Sequence, residues 1–243
     1  MRLKLICCDV ITREICHELY AASNTVDPVF TSKGAHEKPE FLRGLIQKGI
    51  DEADKEGCYD AVILGYGLCG NAADGLIARS VPLIIPRAHD CCTLFLGSKN
   101  KFIEYFGENP SLEWGSSGYM ERGDSYIRQT QTGKLMGLDL DYDQLVERYG
   151  EENAAFIWDT LYPDRIGNEL VFIDMPETSH FGYLDRMREL ADEAGKDLKV
   201  YPGNIRLIRA LLEGNWNEDE FLVVPPGKSI KAVYDQDIIM TVE

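Results

Sequence analysis

The stretch that decides the fold runs from residue 60 to residue 92 and reads DAVILGYGLCGNAADGLIARSVPLIIPRAHDCC. Two short apolar runs, at 60–64 and 82–86, predict β-strands because they are rich in apolar and β-branched residues and are bounded by turn residues. A glycine-rich turn and a helix-length segment separate the two runs. A strand, a helix and a second strand in this order are typical of a parallel sheet with flanking helices, so we predict an α/β fold.

The same alternation extends over the rest of the chain. The spacing of apolar residues is clearest at 39–56, which has a proline near its start and predicts a long helix. The other predicted helices cover 12–21, 71–79, 141–149, 151–161, 179–194 and 204–213, and the other predicted strands cover 3–8, 27–31, 169–174, 198–201 and 221–224.

The middle of the chain differs from its two ends. Residues 109–137 combine aromatic residues and glycines with little periodicity, which predicts an irregular segment that acts as a lid or a dimer contact. The segments 62–87 and 200–227 share an order of strand, glycine–asparagine turn, helix, strand and proline, which suggests two similar halves facing a cleft. The predicted units are an α/β half with the cysteine cluster at 1–108, an irregular and helical insertion at 109–168, and a second α/β half at 169–243.

Composition excludes several classes of protein. The 243 residues are 44% hydrophobic, enough for a core, and no apolar run approaches the about 20 residues that a membrane span needs. The net charge is −16 and no dense lysine–arginine cluster is present, which argues against nucleic-acid binding. The apolar N-terminal stretch stops at Asp9, too short for a signal peptide, so we predict a cytoplasmic protein whose seven cysteines remain reduced.

Five of the seven cysteines follow the ends of predicted strands. Cys7 and Cys8 close the first strand, Cys69 follows the strand at 60–64, and Cys91 and Cys92 follow the strand at 82–86. Ligands of parallel sheets bind at the carboxyl ends of the strands, where the connecting loops gather. We therefore predict a functional site at this edge of the sheet.

The residue types at this edge indicate a metal. His89 and Cys91 are two positions apart, on the same side of an extended segment, and Cys69 comes from a neighbouring strand end. One histidine and two thiolates with a free position are typical of catalytic zinc, although thiolates also suit Cu(I) and iron–sulfur clusters. Cys92 or Cys8 is a replacement for either thiol. Two alternatives remain open: a reactive thiol just before a helix, and simple packing in tight turns.

Other residues near this edge have predicted supporting roles. Asp90 would orient the histidine as a hydrogen-bond acceptor, and Arg87 would bind a carboxylate or phosphate of the substrate through its two-pronged guanidinium group. Two further histidines follow strand ends: His36 comes after the second strand, and His180 would face the site from across the cleft.

The glycine-rich turn has two alternative predicted roles. In the first, it brings Cys69 and backbone amides close to a ligand. In the second, it is a G-x-G-x-x-G dinucleotide fingerprint, with Asp90 as the acidic residue about 20 positions later. The residues that would bind the cofactor are Gly65, Gly67, Gly70 and Asn71.

On these motifs, the chain resembles the uncharacterised domain-of-unknown-function family number 1638. The resemblance rests on residues 65–71, 85–92 and 96–99, with Trp114 and Glu121 downstream. The family name implies no established activity, but its members look like neighbours of corrinoid-dependent methyltransferase systems. The resemblance therefore implies one-carbon or corrinoid-linked methyl transfer, with a corrinoid protein or methyltransferase as partner.

Zinc-dependent thiol methyltransferases resemble this chain in their ligand set, a His-x-Cys pair with a distant cysteine, matched here by His89, Cys91 and Cys69. Their distant cysteine follows the pair, whereas here it precedes it. We predict a zinc-binding protein that acts on a small anionic or thiol substrate in methyl transfer. A homodimer is compatible with the irregular middle segment. The alternatives are a non-catalytic carrier of a metal or cofactor, and a nucleotide-binding oxidoreductase.

Overall fold

The computed structural model describes residues 1–107, 109, 112–122, 142–151, 153–154, 169–233 and 239–243. It contains two largely parallel sheets with flanking helices, and a separate antiparallel pair of short strands. Its strands are β1 (Arg2–Cys8), β2 (Thr25–Thr31), β3 (Ala61–Gly65), β4 (Leu83–Pro86), β5 (Glu113–Ser116), β6 (Glu169–Asp174), β7 (Asp197–Pro202), β8 (Phe221–Val224), β9 (Ile230–Ala232) and β10 (Met240–Val242). The predicted α/β class is confirmed.

The described helices agree with most of the predicted ones, within a few residues at their ends. They are α1 (Thr12–Leu19), α2 (Pro39–Glu56), α3 (Cys91–Leu96), α4 (Lys99–Phe106), α5 (Ser117–Glu121), α6 (Tyr142–Tyr149), α7 (Tyr183–Glu193) and α8 (Arg206–Glu213). Short 3₁₀ turns at Asp9–Ile11, Lys33–Glu37 and Ser179–Phe181 follow β1, β2 and β6. No helix in the described ranges is long and apolar enough to cross a membrane.

The larger sheet has the strand order β2-β1-β3-β4-β8. Its first four strands are parallel, and β8 pairs antiparallel with β4. Strand β3 lies in the centre and is buried at every position, which explains its continuous apolar run, because a central parallel strand is covered on both faces. Parallel pairing brings the carboxyl ends of β1, β3 and β4 to one edge of the sheet.

The smaller sheet has the order β5-β6-β7, with all strands parallel. The predicted second half at 169–243 is divided between the two sheets, since β6 and β7 form the smaller one whereas α8 and β8 pack into the core of the larger one. The segments 62–87 and 200–227 therefore have different arrangements. The first contributes two neighbouring strands to one sheet, and the second contributes one strand to each sheet.

Two predictions of local structure are corrected. The helix expected at 71–79 is absent from the structure, where Asn71 (φ +67°) and Gly75 (φ +80°) adopt left-handed turns. The segment instead bonds to the chain around β9, with Gly75 N donating to the oxygen of Ile230 at 2.8 Å. The described part of 109–137 is more regular than expected, because β5 adds to β6 and is followed at once by α5. The rest of that segment, and the helix predicted at 151–161 beyond residue 154, lie outside the described residues.

Candidate functional site

Three cysteines meet at the shared edge of the larger sheet. Cys8 is the last residue of β1, Cys69 follows β3, and Cys91 follows β4 as the first residue of α3. All three are buried, with at most 8% of each side chain exposed. The strands bring them together because β1, β3 and β4 are consecutive neighbours that point the same way.

The loop after β3 is held against the loop after β4 by backbone hydrogen bonds. Leu68 N donates to Ala88 O, and Cys69 N donates to His89 O, each at 2.9 Å. Gly67 permits this approach, since a Cβ at that position would lie 2.6 Å from the oxygen of Ala88. Cys69 itself has φ +47°, a left-handed conformation that is uncommon for a residue with a side chain. Such strain is often kept where a side chain must be aimed at a site.

A histidine joins the three thiols from the second strand. Strand β2 pairs with β1 so that Thr31 lies opposite Cys8, and the following 3₁₀ turn at Lys33–Glu37 carries His36. This turn is tied to the end of β1, because the backbone N–H of Lys33 donates to Oδ1 of Asp9 at 2.8 Å. The Nε2 atom of His36 is buried and has no hydrogen-bond partner among the described residues.

We call Cys8, Cys69, Cys91 and His36 the thiol cluster. The adjacent Cys91 thiol and then the His36 imidazole lower the pKa of Cys8 to about 6, against the opposing effect of burial. The same neighbours lower the pKa of Cys69 to about 5. Burial opposes protonation of His36, but the thiolates of Cys69 and Cys8 outweigh it and raise its pKa to about 10. Without a metal, the cluster therefore favours two thiolates, one imidazolium and one thiol.

The pKa of Cys91 is shifted in the opposite direction to those of Cys8 and Cys69. Its interactions with the Cys69 and Cys8 thiolates, together with burial, raise the pKa of Cys91 well above its ordinary value. Asp90 caps the helix that Cys91 begins, since its Oδ1 accepts from the N–H of Cys92 at 2.9 Å. Burial and then the nearby Cys69 raise the pKa of Asp90 to about 7.

Tyr119 reaches the cluster from the smaller sheet. Gly118 lies so close to the turn after β1 that a Cβ at this position would fall 1.6 Å from the oxygen of Val10. The absence of a side chain at Gly118 therefore lets α5 pack against the larger sheet. Burial raises the pKa of Tyr119 well above its ordinary value, and the charges of Cys91 and Asp90 raise it further. The phenol therefore keeps its proton. The ring also has Lys33 Nζ at 5.1 Å from its centroid. From the sequence, Tyr119 is one of the aromatic residues of the segment at 109–137, where packing in a lid is the expected role.

Three predicted site residues lie outside the thiol cluster. His89 turns towards Phe102, with the ring centroids 5.7 Å apart, and burial lowers its pKa. Cys92 is buried in α3, and burial followed by the charge of Asp90 raises its pKa well above the ordinary value. Arg87 donates from Nε to the backbone oxygen of Glu218 at 2.8 Å and from a terminal nitrogen to Met240 O, which ties the end of β4 to the segment before β8 and to β10.

The four predicted cofactor-binding positions shape the turn. A Cβ on Gly65 would lie 2.5 Å from the Cβ of Cys7, and Gly70 has φ +64°. Asn71 is left-handed, and its oxygen accepts from Arg43 at 2.8 Å. A dinucleotide fingerprint places its pyrophosphate on the first turn of a helix, and the chain after Asn71 forms turns instead. The turn thus serves the placement of Cys69 and lacks the helix that nucleotide binding uses.

The donor types of the thiol cluster fit a thiophilic metal. Three thiols and one imidazole form a ligand set that zinc uses in proteins. The unpartnered Nε2 of His36 is the atom that a metal would satisfy. Within the described ranges, no three histidine, cysteine, aspartate or glutamate side chains are already arranged as a finished metal site, so binding requires some of these side chains to reorient.

Comparison with known proteins identifies the family. A family model described as a protein of unknown function (DUF1638) matches residues 30–212, well over half of the chain. The chain belongs to this family. No curated protein and no solved structure matches it. The DUF1638 description carries no activity. The matched range includes His36, Cys69 and Cys91, whereas Cys8 precedes it.

Proposed function

We propose that the DUF1638 protein binds one thiophilic metal ion, zinc, through Cys8, Cys69, Cys91 and His36. The observation that carries this proposal is the meeting of three buried thiols with a buried imidazole nitrogen that lacks a partner among the described residues. Packing alone explains buried cysteines, but it does not explain a histidine that interacts with two thiolates while its Nε2 atom is buried without a partner, since buried polar groups are nearly always satisfied.

The reaction that we propose is methyl transfer involving a small thiol, with a corrinoid supplied by a partner protein. Zinc held by thiolates would supply a Lewis acid that keeps a substrate thiol deprotonated and nucleophilic. The resemblance to methyltransferase-associated proteins and the thiol-rich donor set support this reaction. The His-x-Cys pair no longer supports it, because His89 faces Phe102.

Residues of this chain would prepare such a substrate. Tyr119 keeps its proton beside the cluster, so its phenol can donate a hydrogen bond to a sulfur or an anionic group there. Lys33, above the Tyr119 ring, adds a positive charge at the same edge and suits an anionic substrate. His36 is the least buried of the four donors and sits on a short turn, which makes it the donor that a substrate sulfur would most easily replace.

The number of donors supports a second candidate, a non-catalytic carrier of the metal. A zinc site closed by four protein ligands is structural, whereas a catalytic site keeps one position open. The two candidates differ in whether His36 remains bound when a thiol is added.

Metal content tests the proposal directly. We expect about one equivalent of zinc per chain in protein purified from reducing buffer without chelator or nickel affinity resin. The His36→Ala variant should lose zinc, and the matched His89→Ala variant should retain it. Zinc-free wild-type protein that also fails to take up added zinc would contradict the proposal, as would full zinc content in Cys69→Ser or Cys91→Ser. Displacement of His36 by a substrate thiol, followed through its imidazole NMR signals, would favour the enzyme over the carrier.

A further inference from the structure

A second region with unexplained polar groups lies between the two sheets, away from the thiol cluster. A cleft of about 660 Å³ separates α1 from the turn after β6, and its walls include Arg13, His17, Glu121, Glu177, Thr178 and Phe181. This volume falls within the range of small-molecule sites, roughly 300–1,000 Å³. None of these residues belongs to the thiol cluster.

The wall of this cleft is built on a buried carboxylate. Glu14 of α1 is 0% exposed, and neither of its carboxylate oxygens has a hydrogen-bond partner among the described residues. Its charged and polar neighbours are Glu177, Glu121 and Thr178, all three of which line the cleft. We call Glu14, Glu177 and Thr178 the acceptor cluster.

The other two members of the acceptor cluster are also unsatisfied. Thr178 is 2% exposed, lines the cleft, and has a hydroxyl without a partner in the described part of the chain. The Oε2 atom of Glu177 is likewise buried without a partner there. Four buried oxygen atoms therefore lie in this region. Glu14 interacts with its own backbone N–H and with the Thr178 hydroxyl, which lower its pKa without outweighing burial, and the Oε2 atom of Glu177 has no donor among the described residues. Buried acceptors of this kind are costly unless something donates to them.

The nearby cationic side chains are engaged elsewhere. Arg13 donates from Nε to both oxygens of Glu121, at 2.8 and 3.0 Å, and its guanidinium lies 4.1 Å from the ring centroid of Phe181. Arg122 donates to the backbone oxygen of Asp9 at 3.2 Å. His17 contacts Glu18 at 3.2 Å. None of these contacts is a hydrogen bond to the acceptor cluster, although Arg13 attracts Glu14 and Arg209 attracts Glu177. Glu177 and Thr178 line the cleft, and Glu14 lies buried behind them.

We propose that the cleft binds a small organic cation with a primary ammonium group, which donates N–H bonds to Glu177 and Thr178 in the wall of the cleft and is attracted by the Glu14 carboxylate behind them. A primary ammonium offers three donors, which is sufficient for the two acceptor side chains that line the cleft. The cleft is far larger than a bare ion requires, and the rings of Phe181 and Tyr183 provide an apolar wall for the carbon part of such a ligand.

Burial, followed by the charges of Glu177 and Glu121, raises the pKa of Glu14 to about 7. The carboxylate is therefore ionised, and the cleft competent, in mildly alkaline solution. The proposal does not depend on whether the thiol cluster binds zinc.

The test is a titration of the full-length protein at pH 8 with n-propylammonium chloride, followed by NMR, with n-propanol as the neutral match of the same size. We expect saturable binding of the ammonium in the millimolar range and at least ten-fold weaker binding of the alcohol. Glu14→Gln, which keeps the shape and removes the charge, should weaken ammonium binding at least ten-fold. Glu52→Gln, which removes one exposed charge from α2, should leave it unchanged.

Thr178→Val provides a second variant, which removes a hydroxyl without changing charge and should weaken ammonium binding several-fold. Equal binding of propylammonium and propanol would overturn the proposal. So would ammonium binding that survives both Glu14→Gln and Thr178→Val. A saturable response to calcium chloride without one to propylammonium would also overturn it, by assigning the cleft to a metal ion.

Discussion

The thiol cluster lies at the strand ends of the larger sheet, whereas the acceptor cluster lies between the two sheets. Both bury polar groups, but they differ in what the groups find there. In the thiol cluster, His36 and the thiolates of Cys8 and Cys69 stabilise each other's charged forms. At the acceptor cluster, burial raises the pKa of Glu14, and the charges of Glu177 and the neighbouring Glu121 raise it further. The difference teaches that burial alone does not indicate a ligand, since the chemistry of the neighbours decides which ligand is missing.

The two clusters also differ in the kind of ligand they can satisfy. Soft thiolates and an imidazole suit zinc and other thiophilic metals. Carboxylate and hydroxyl oxygens suit N–H donors and hard cations. Each cluster should therefore respond to changes that leave the other unaffected.

The largest effect should come from the thiols. The double variant Cys69→Ser, Cys91→Ser removes two of four donors, and its zinc content should fall from about one equivalent to less than about a tenth, because hydroxyls bind zinc far more weakly than thiolates do. Elemental analysis measures this directly. Cys58→Ser, at an exposed cysteine away from the cluster, is the control. Propylammonium binding in the cleft should be unchanged, and a parallel loss of both ligands would show that the clusters are not separate.

The next largest effect is the difference in zinc affinity between variants of two histidines at the same edge of the sheet. His36→Ala should weaken zinc binding by about 10–100-fold or more, as expected for the loss of a ligand or its support. His89→Ala should change it less than about three-fold, because that ring packs on Phe102. A competition assay with a chromogenic zinc chelator measures both affinities. If the His89 variant were the weaker of the two, the predicted pairing of His89 with Cys91 would be restored.

Glu14 should make the protein less stable as the pH rises. Its pKa is raised from 4.5 to about 7 by burial and by its acidic neighbours, so the folded protein binds this proton more tightly than the unfolded chain does. The associated stability is fully present below pH 4.5 and is lost as the pH rises through about 7. The shift corresponds to about 3 kcal/mol in the free energy of unfolding between these limits.

Urea unfolding of the wild type and Glu14→Gln between pH 4.5 and 8 measures this contribution. The variant should lack the part of the pH dependence that Glu14 causes, so the difference in free energy of unfolding between the two proteins should change steadily across this range. A constant difference at every pH would mean that Glu14 does not titrate there.

The smallest effect concerns the loop that places Cys69. Gly67→Ala puts a Cβ within 2.6 Å of the oxygen of Ala88, so the loops after β3 and β4 must move apart. We expect a destabilisation of about 1–3 kcal/mol and weaker zinc binding. Gly44→Ala in α2, where a Cβ meets nothing within 4 Å, should be neutral or stabilising. Thermal unfolding with and without zinc distinguishes the two, and equal behaviour would argue that the loop contact is not required.

Much of the fold could be predicted, and the errors have physical causes. Strand β3 was predictable because its continuous apolar run reflects burial on both faces. The helix expected at 71–79 was wrong because Asn71 and Gly75 turn left-handed and the segment bonds to the chain near β9, which is distant in sequence. Strand β8 joined the larger sheet by antiparallel pairing with β4, a choice that local patterns do not contain.

The candidate site was also predictable in part. The position of Cys8, Cys69 and Cys91 at one edge followed from parallel strands alone. Glu14 had a signal that went unused, since it shares the buried side of α1 with Ile11 and Ile15 at helical spacing, where an acid is unusual. Tyr119 had none, because it reaches the cluster only through the approach of Gly118 to Val10.

The sequence by itself determined the α/β class and the edge of the sheet where the cysteines gather, because side-chain periodicity and strand direction are local properties. The tertiary structure alone decided that His36 and not His89 joins the thiols, since this depends on β2 lying next to β1 and on the packing of His89 against Phe102. It alone also placed Glu177 and Thr178 beside Glu14, because the contact joins two sheets from distant parts of the chain.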